Sequence, residues 1–224
     1  MNLIEYPDRE TLMRAVAAGL AADLAQALAL RDTVCFAVPG GTTPGPVFDA
    51  LAQVALDWSR VHVLLTDERW VPETDAQSNA ALIRARLLTG PAAAAQFTPY
   101  FTDVADIGTT AQSLSASLAH LLPIDVLLLG MGADMHIASL FPEADGLAQA
   151  MADDAPLLLP ITAKDQNVQR FTLTGRALST ARGIHLLITG ADKRAALLRA
   201  ARLSVLQAPV QAVLSQATIH WSAA

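Results

Sequence analysis

The amino-acid sequence predicts an α/β fold, in which helices cover both faces of a mostly parallel β-sheet. Three observations support this prediction. Short apolar runs alternate along the 224 residues with segments whose apolar residues recur at helical spacing. Most of these runs are apolar at consecutive positions, which is typical of strands that are buried on both faces. Hydrophobic residues make up 53% of the chain and charged residues 16%, so a disordered protein is excluded.

The first half of the chain contributes two strands and three helices to the prediction. A helix is predicted over residues 11–30, because apolar residues recur there at every third or fourth position. A strand at 33–38 is followed by Pro-Gly-Gly and by a helix over 44–56, which has proline in its first turn. The run VHVLL at 61–65 predicts a second strand, and residues 79–88 predict the next helix.

The second half continues the alternation of helices and strands. No repeat, linker or charge block divides the chain, so we expect a single domain over residues 1–224. The remaining predicted elements are a helix at 110–122, strands at 124–129, 170–173 and 184–188, a helix at 192–203, and a last edge strand at 218–221.

Charge and cysteine content exclude several classes of protein. The 15 basic and 21 acidic residues give a net charge of −6, which argues against nucleic acid or an anionic membrane as a partner. The single cysteine, Cys35, excludes a disulfide framework and a multi-cysteine zinc site. Acidic residues precede the first apolar stretch, which is unlike a secretory signal, and residues 15–30 are too short and polar to span a bilayer. We therefore expect a cytoplasmic monomer or small homo-oligomer.

The loops that follow the strands are the expected place for a ligand. In open parallel sheets, ligands bind beyond the carboxyl ends of the strands. The loops after residues 38, 65, 129 and 188 should therefore converge on one crevice.

The first of these loops has the sequence Pro-Gly-Gly-Thr-Thr-Pro and leads directly into a helix. Gly40 and Gly41 let the backbone approach a ligand closely, and Thr42 and Thr43 supply hydroxyls. The N–H groups at a helix N-terminus suit a phosphate or carboxylate. The alternative is a tight turn with a threonine helix cap.

The second loop places three charged residues, Asp67, Glu68 and Arg69, directly after an apolar strand. Arg69 could hold an anion or stabilise a developing oxyanion. The alternative is a solvated turn with a local pair between aspartate and arginine.

The third loop, GMGADMH, brings Asp134 and His136 close together in sequence. It matches only half of the dinucleotide-binding pattern, because His136 stands where the third glycine belongs. A histidine beside a carboxylate is suited to general base catalysis. The alternative is a helix-capping aspartate beside a structural histidine. No H-E-x-x-H spacing occurs, so no metal is expected.

Two further cations stand near strands. Arg170 stands at the start of the strand at 170–173, and Lys193 follows the strand at 184–188 near the start of a helix. Either side chain could reach a phosphate in the shared crevice. The alternative for each is an exposed surface charge.

Together, the loops resemble those of a known family, the 6-phosphogluconolactonases. The segment at 130–142 is the most specific part of this resemblance, which spans residues from about 38 to 194. The matching segments are GGTTP at 40–44, TDER at 66–69 with Ser78-Asn79 downstream, GMGADMHIASLFP at 130–142, and RFTLT at 170–174 with Gly190 and Lys193 beyond it.

The resemblance implies a modified Rossmann-like sheet with a small extra lobe, as in glucosamine-6-phosphate deaminase and ribose-5-phosphate isomerase. It implies hydrolysis of 6-phospho-D-glucono-1,5-lactone to 6-phospho-D-gluconate, in the oxidative pentose phosphate pathway and without a cofactor. The expected ligand is thus a phosphorylated sugar lactone.

Roles for individual residues follow from the same resemblance. His136 is expected to be the general base, oriented by Asp134, and Arg69 to stabilise the oxyanion. Asp67 is expected, with Glu68, to hold Arg69 or substrate hydroxyls. The remaining substrate contacts, to the phosphate above all, are expected from Gly40, Gly41, Thr42, Thr43, Arg170 and Lys193.

One residue departs from the family pattern. Met135 stands where the family usually has glycine, between Asp134 and His136. If that position needs a positive φ, methionine is strained or moves His136, and its side chain adds bulk near the substrate.

Two other functions of the same fold stay open. Amino-sugar-phosphate deaminases resemble this chain in the third loop but carry a glutamate five residues after the histidine, where this chain has Phe141. Non-catalytic sugar-phosphate sensors are generally attached to a DNA-binding segment, and this chain shows no basic helix-turn-helix extension. Met135 is the one feature that favours the sensor.

Overall fold

Seven parallel strands form the centre of the computed structural model, which describes residues 1–103, 106–162 and 168–223. Three further strands form a separate antiparallel sheet. In chain order the strands are β1 (Asn2–Tyr6), β2 (Val34–Val38), β3 (Val61–Leu65), β4 (Asp67–Arg69), β5 (Gln96–Phe97), β6 (Val126–Gly130), β7 (Leu158–Ile161), β8 (Arg170–Leu173), β9 (Gly183–Thr189) and β10 (Thr218–Ser222).

The helices pack against the strands and leave the middle of the sheet without solvent contact. All five positions of β2 are buried, as expected for a strand covered on both faces. The helices are α1 (Arg9–Leu30), α2 (Gly45–Leu51), α3 (Asn79–Arg86), α4 (Ile107–Leu118), α5 (Leu147–Ala150), α6 (Gly175–Ser179) and α7 (Ala191–Ala200).

The strand order of the central sheet is β1-β10-β9-β6-β2-β3-β5, and every pair is parallel. From β2 the chain adds β3 and β5 on one side, and it then returns to the other side of β2 with β6. The direction of winding therefore reverses between β2 and β6. A crevice forms at such a reversal, because the loops after the two strands diverge.

By length and composition alone, helix α1 could cross a bilayer. The prediction from the sequence considered only residues 15–30, a shorter segment. The apolar side of α1, from Leu12 to Leu28, is buried and contacts the central sheet. Asp8 caps the helix by accepting a hydrogen bond from the Thr11 N–H at 2.7 Å. The helix thus packs as a core element of an α/β fold.

The antiparallel sheet has the order β4-β8-β7 and forms the small extra lobe. The sequence predicted β8 as a strand alongside the others, but it pairs with β4 and β7 instead of joining the central sheet. The pairing of β4 with β8 sets Arg69 directly opposite Arg170. This lobe therefore brings together two cations that are about a hundred positions apart in the chain.

The prediction of an edge strand at 218–221 is wrong in its position. β10 lies between β1 and β9, and β1 is the edge. The sequence of β1, NLIEY, was not predicted as a strand, because it is short, partly polar and only partly buried. An edge strand has one neighbour and one exposed side, so its sequence carries a weak hydrophobic pattern.

Four polar side chains form a hydrogen-bonded chain between α1 and β1 through two neighbouring strands. Asp23 Oδ2 lies 2.8 Å from His185 Nε2, and His185 Nδ1 lies 3.0 Å from His220 Nε2. The chain ends at the Tyr6 hydroxyl, 2.9 Å from His220 Nδ1. Two neutral imidazoles satisfy all three contacts, because each donates from one nitrogen and accepts at the other.

Because of the buried pair His185 and His220, we expect the protein to lose stability in mild acid. Burial, and then the electrostatic effect of the neighbouring His185, lower the pKa of His220 to about 4, whereas the pKa of a histidine in the unfolded chain is about 6.5. The unfolded state therefore binds more protons below pH 6.5, so the stability contributed by His220 is complete above that pH and is lost as the pH falls towards 4.

Between pH 7 and pH 5 we expect a loss of about 2 kcal/mol in the free energy of unfolding from this residue. Urea unfolding of the wild type and of His220→Gln at both pH values measures it, because the variant removes only this titration. The same pH dependence in both proteins would contradict the assignment.

Candidate active site

A cavity of about 240 Å³ lies at the carboxyl end of the central sheet, beside the reversal between β2 and β6. Segments that follow β2, β3, β6 and β9 line it, so the four loops meet in one crevice as predicted from the parallel sheet. His136, Arg69 and Lys193 all line this cavity.

His136 lies in the turn after β6, and its imidazole is tied to a neighbouring carboxylate. Nδ1 of His136 is 2.6 Å from Oδ1 of Asp134. With the proton on Nδ1, the ring donates to Asp134 and keeps the lone pair of Nε2. Burial acts to raise the pKa of Asp134, but the hydrogen bond and charge of His136 outweigh burial, and the pKa is lowered. Asp134 is therefore ionised at neutral pH and can stabilise the imidazolium, although it does not itself line the cavity.

Two backbone hydrogen bonds close the turn that carries His136. The Gly132 N–H donates to the His136 carbonyl, and the Met135 N–H donates to the Gly132 carbonyl, each at 3.0 Å. Met135 has a φ of 70°, a left-handed conformation that costs a residue with a side chain about 1–2 kcal/mol. Its side chain packs against the core and does not line the cavity. The strain expected at this position is present, whereas the expected bulk beside the substrate is not.

Gly132→Ala is expected to lower kcat by about 10- to 100-fold, because a misplacement of about 1 Å at a reacting group has an effect of that size. A Cβ atom at Gly132 would lie 2.3 Å from Asp134 Oδ1 and from two ring atoms of His136. Steady-state kinetics measure the effect. Gly19→Ala in α1 is the matched control, since its Cβ would approach no atom closer than 3.6 Å. Unchanged kcat in Gly132→Ala would show that the ring position does not matter.

The second group of site residues lies on the small antiparallel sheet. Arg69 and Arg170 both line the cavity, and Nη1 of Arg170 is 3.9 Å from Oδ2 of Asp67. Nη1 of Arg69 donates to the Gln77 carbonyl at 2.5 Å, whereas its buried Nε has no hydrogen-bond partner among the described residues. Burial, and then the charge of Arg69, lower the pKa of Arg170. Two cations beside one cavity favour an anionic ligand.

The two carboxylates of the second loop have different positions. Asp67 lines the cavity, and its Oδ2 accepts a hydrogen bond of 2.6 Å from Ser139 Oγ. Glu68 is only 1% exposed and does not line the cavity. It accepts hydrogen bonds of 2.8 and 2.7 Å from the Asn79 and Ala80 N–H groups at the start of α3.

Glu68 therefore caps a helix. Its burial raises its pKa, against the lowering effect of the backbone N–H groups that it binds. Glu68 was expected to hold the Arg69 side chain. It contacts the backbone of Arg69 instead, since the Arg69 N–H donates to Glu68 Oε1 at 2.7 Å.

The glycine-threonine turn after β2 contributes Gly40, Gly41 and Thr43 to the cavity lining. Gly41 has a φ of 83°, a conformation that glycine adopts without strain. A Cβ at Gly40 would lie 1.8 Å from the side-chain oxygen of Asn79, so this glycine is required for close packing. Thr42, expected among the substrate contacts, is exposed and is not among the lining residues.

Asn79 also lines the cavity, and no pattern of residue types in the sequence predicts this position. Its Nδ2 donates to the Asp67 carbonyl at 2.9 Å, which joins the start of α3 to β4. The signal for it was its place in the Ser78-Asn79 part of the matching segments.

Lys193 approaches the cavity from the first turn of α7 and is half-buried. Burial lowers its pKa, and the negative charge of Asp134 acts in the opposite direction. Three cations, Arg69, Arg170 and Lys193, thus surround the cavity, and Asp67 is the carboxylate among its lining residues. The balance of charge favours an anionic ligand.

Residues 7–221 match the family of glucosamine-6-phosphate isomerases and 6-phosphogluconolactonase. The chain belongs to this family. It is 43% identical over 198 residues to the 6-phosphogluconolactonase of Mesorhizobium japonicum, which covers 87% of this chain and 83% of the relative. It is 42% identical to that of Pseudomonas aeruginosa, covering 93% of this chain and 89% of the relative. The crystal structure of a 6-phosphogluconolactonase from Shewanella baltica superposes with a TM-score of 0.94 at 30% identity, covering 99% and 97% of the two chains.

Family membership confirms the predicted fold, including the parallel sheet and the small extra lobe. The roles assigned to single residues stay predictions. The family contains both isomerases and lactonases, so the choice between them depends on the curated relatives and on the chemistry of the cavity.

Proposed function

We propose that this chain hydrolyses 6-phospho-D-glucono-1,5-lactone to 6-phospho-D-gluconate, the lactonase step of the oxidative pentose phosphate pathway. The observation that carries the proposal is the pairing of His136 with Asp134 at 2.6 Å beside a cavity lined by three cations. The 6-phosphogluconolactonase relatives, at up to 43% identity over most of the chain, support the same activity.

In the proposed reaction His136 acts as the general base. Its Nδ1–H is held by Asp134, so the lone pair of Nε2 is available to take a proton from water. The resulting hydroxide attacks C1 of the lactone. Asp134 stabilises the imidazolium, and the imidazolium then returns the proton to the ring oxygen as the ring opens.

Arg69 is the residue proposed to stabilise the tetrahedral oxyanion. Its guanidinium lines the cavity, and its Nε lacks a partner in the described part of the chain. A donor that is already buried and fixed does not have to reorganise as the negative charge develops on oxygen. Asp67, anchored by Ser139, is suited to hold a substrate hydroxyl.

The phosphate is proposed to lie between Lys193, Arg170 and the turn at Gly41 and Thr43. Lysine and arginine are the usual partners of a phosphate, and the backbone at Gly41 carries no side chain that would obstruct it. Burial of part of each cation strengthens its attraction for a dianion, because water screens the charges less.

The isomerase reaction would need a glutamate that this chain does not have at the corresponding position. Phe141 stands five residues after His136, where the deaminases carry glutamate. The centroid of its ring lies 4.4 Å from the centroid of the imidazole. A phenyl ring cannot relay the protons that ring opening and transfer between C1 and C2 require. A lactone is already activated at C1 and needs a single base.

The proposed ligand is therefore a phosphorylated sugar lactone, and the net charge of −6 argues against nucleic acid or an anionic membrane as a partner. We place the reaction in the cytoplasm, since charged sugar phosphates do not cross bilayers unaided. A monomer or small homo-oligomer is sufficient, because one chain supplies every proposed site residue.

The direct test follows proton release from freshly prepared 6-phosphogluconolactone with a pH indicator, since hydrolysis yields one carboxylic acid per turnover. Rates with and without enzyme are compared, because the lactone also hydrolyses spontaneously. Glucosamine 6-phosphate, assayed for ammonia, tests the isomerase alternative. Lactone hydrolysis no faster than the background would overturn the proposal, and so would ammonia release in its place.

A further inference from the structure

The ring of Phe141 contacts two side chains that line the cavity, His136 and Arg170. Its centroid is 4.4 Å from the His136 ring, at an interplanar angle of 44°. The guanidinium carbon of Arg170 lies 5.4 Å from the same centroid. Phe141 is partly buried and packs against the core, and it does not line the cavity itself. It therefore touches the proposed base and a proposed phosphate ligand without being placed to touch the substrate.

Each contact limits the motion of a functional side chain. The tilted phenyl ring restricts rotation of the imidazole about its Cβ–Cγ bond, and the hydrogen bond to Asp134 fixes one of the imidazole nitrogens. The face of the same ring attracts the guanidinium of Arg170, whose residue is only 9% exposed, so water competes weakly for this contact. Arg170 is also drawn towards Asp67, at 3.9 Å. Phe141 and Asp67 therefore both act on the orientation of the Arg170 guanidinium.

We propose that Phe141 is a positioning residue that couples the phosphate end of the site to the base, by holding Arg170 and His136 against one aromatic ring. The proposal depends on the lactonase function and deepens it. The ring exchanges no proton and forms no bond with substrate. When the phosphate fixes Arg170, the ring in contact with this guanidinium is fixed too, and the imidazole that also contacts the ring is held in the orientation that activates water.

The coupling predicts that loss of the ring affects both kinetic parameters. Phe141→Leu keeps an apolar side chain but removes the π face and most of the wall beside His136. We expect kcat to fall and KM to rise, each by about 3- to 10-fold, as is common for the loss of a contact with aromatic or cationic character. Phe141→Tyr keeps the ring and should recover most of the activity that Phe141→Leu loses.

A double-mutant cycle with Arg170→Ala distinguishes coupling from a general loss of packing. If Phe141 acts through Arg170, Phe141→Leu should raise KM in the wild-type background and have less than a 2-fold effect on KM in the Arg170→Ala background. Its effect on kcat should also be smaller there, because without Arg170 the ring no longer transmits phosphate binding to His136. A purely structural role would give the same increase in KM in both backgrounds and would overturn the proposal.

Two measurements keep the result interpretable. Thermal unfolding by circular dichroism shows whether Phe141→Leu is folded at the assay temperature, and Phe141→Met replaces it in the cycle if it is not. Wild-type activity on the lactone tests the proposed function separately. A wild-type enzyme that is active, with Phe141→Leu unchanged in both kcat and KM, would contradict the role of Phe141 alone.

Discussion

His136→Gln is expected to lower kcat for 6-phosphogluconolactone by about 10²- to 10⁴-fold, the usual contribution of a positioned general base. Glutamine preserves the approximate size of the side chain and can still hydrogen-bond to Asp134, but its amide cannot take a proton from water at neutral pH. KM should change little, because the phosphate contacts come from other residues. Stopped-flow measurement with a pH indicator, at high enzyme concentration, resolves a rate this close to spontaneous hydrolysis.

His120→Gln is the matched control for this substitution. His120 is exposed beyond α4, where its Nδ1 lies 2.8 Å from the Ser117 carbonyl, and it does not line the active-site cavity. It should keep wild-type kcat. If His136→Gln retained more than about a tenth of wild-type kcat, the general base would have to be another group.

Lys193→Ala is expected to raise KM by about 10- to 100-fold while kcat changes much less. A hydrogen bond to a charged group is worth about 1.5–3 kcal/mol, and the half-buried ammonium is poorly replaced by water. Initial rates over a range of lactone concentrations measure the effect. Unphosphorylated glucono-1,5-lactone gives a second readout, since wild type and variant should hydrolyse it equally slowly if Lys193 acts on the phosphate.

The neighbouring residue on α7 supplies the control for Lys193. The Arg194 guanidinium pairs with Glu5 and lies 4.8 Å from the centroid of the Trp221 ring, away from the cavity lining. Arg194→Ala removes a positive charge from the same helix, so it tests whether net charge alone explains the change in KM. An unchanged KM in Lys193→Ala would remove this residue from the phosphate site.

Much of the site could be predicted because it depends on one topological rule. Parallel strands place the loops at their carboxyl ends on one side of the sheet, and buried strands such as β2 and β6 are recognisable as continuous apolar runs. The short spacing between Asp134 and His136 also sets their contact locally, through one turn.

The features that were missed depend on contacts between distant segments. The pairing of β4 with β8, and the contact of Gly40 with Asn79, join residues whose separation in the chain carries no periodic signal. The helix-capping role of Glu68 was hidden for the same reason, since a carboxylate after a strand has the same sequence appearance whether it binds substrate or a helix N-terminus. Tertiary geometry alone distinguishes these cases.

The register of the small antiparallel sheet has a consequence for the ligand-free protein. Arg69 and Arg170 face each other across β4 and β8, and like charges in that arrangement repel. A phosphate bound at Arg170 offsets this repulsion, so the binding energy of the substrate and the folding energy of the small sheet become linked. The lobe should therefore be least stable when sugar phosphates are scarce, and the abundance of the substrate would help to protect the enzyme that consumes it from unfolding and proteolysis.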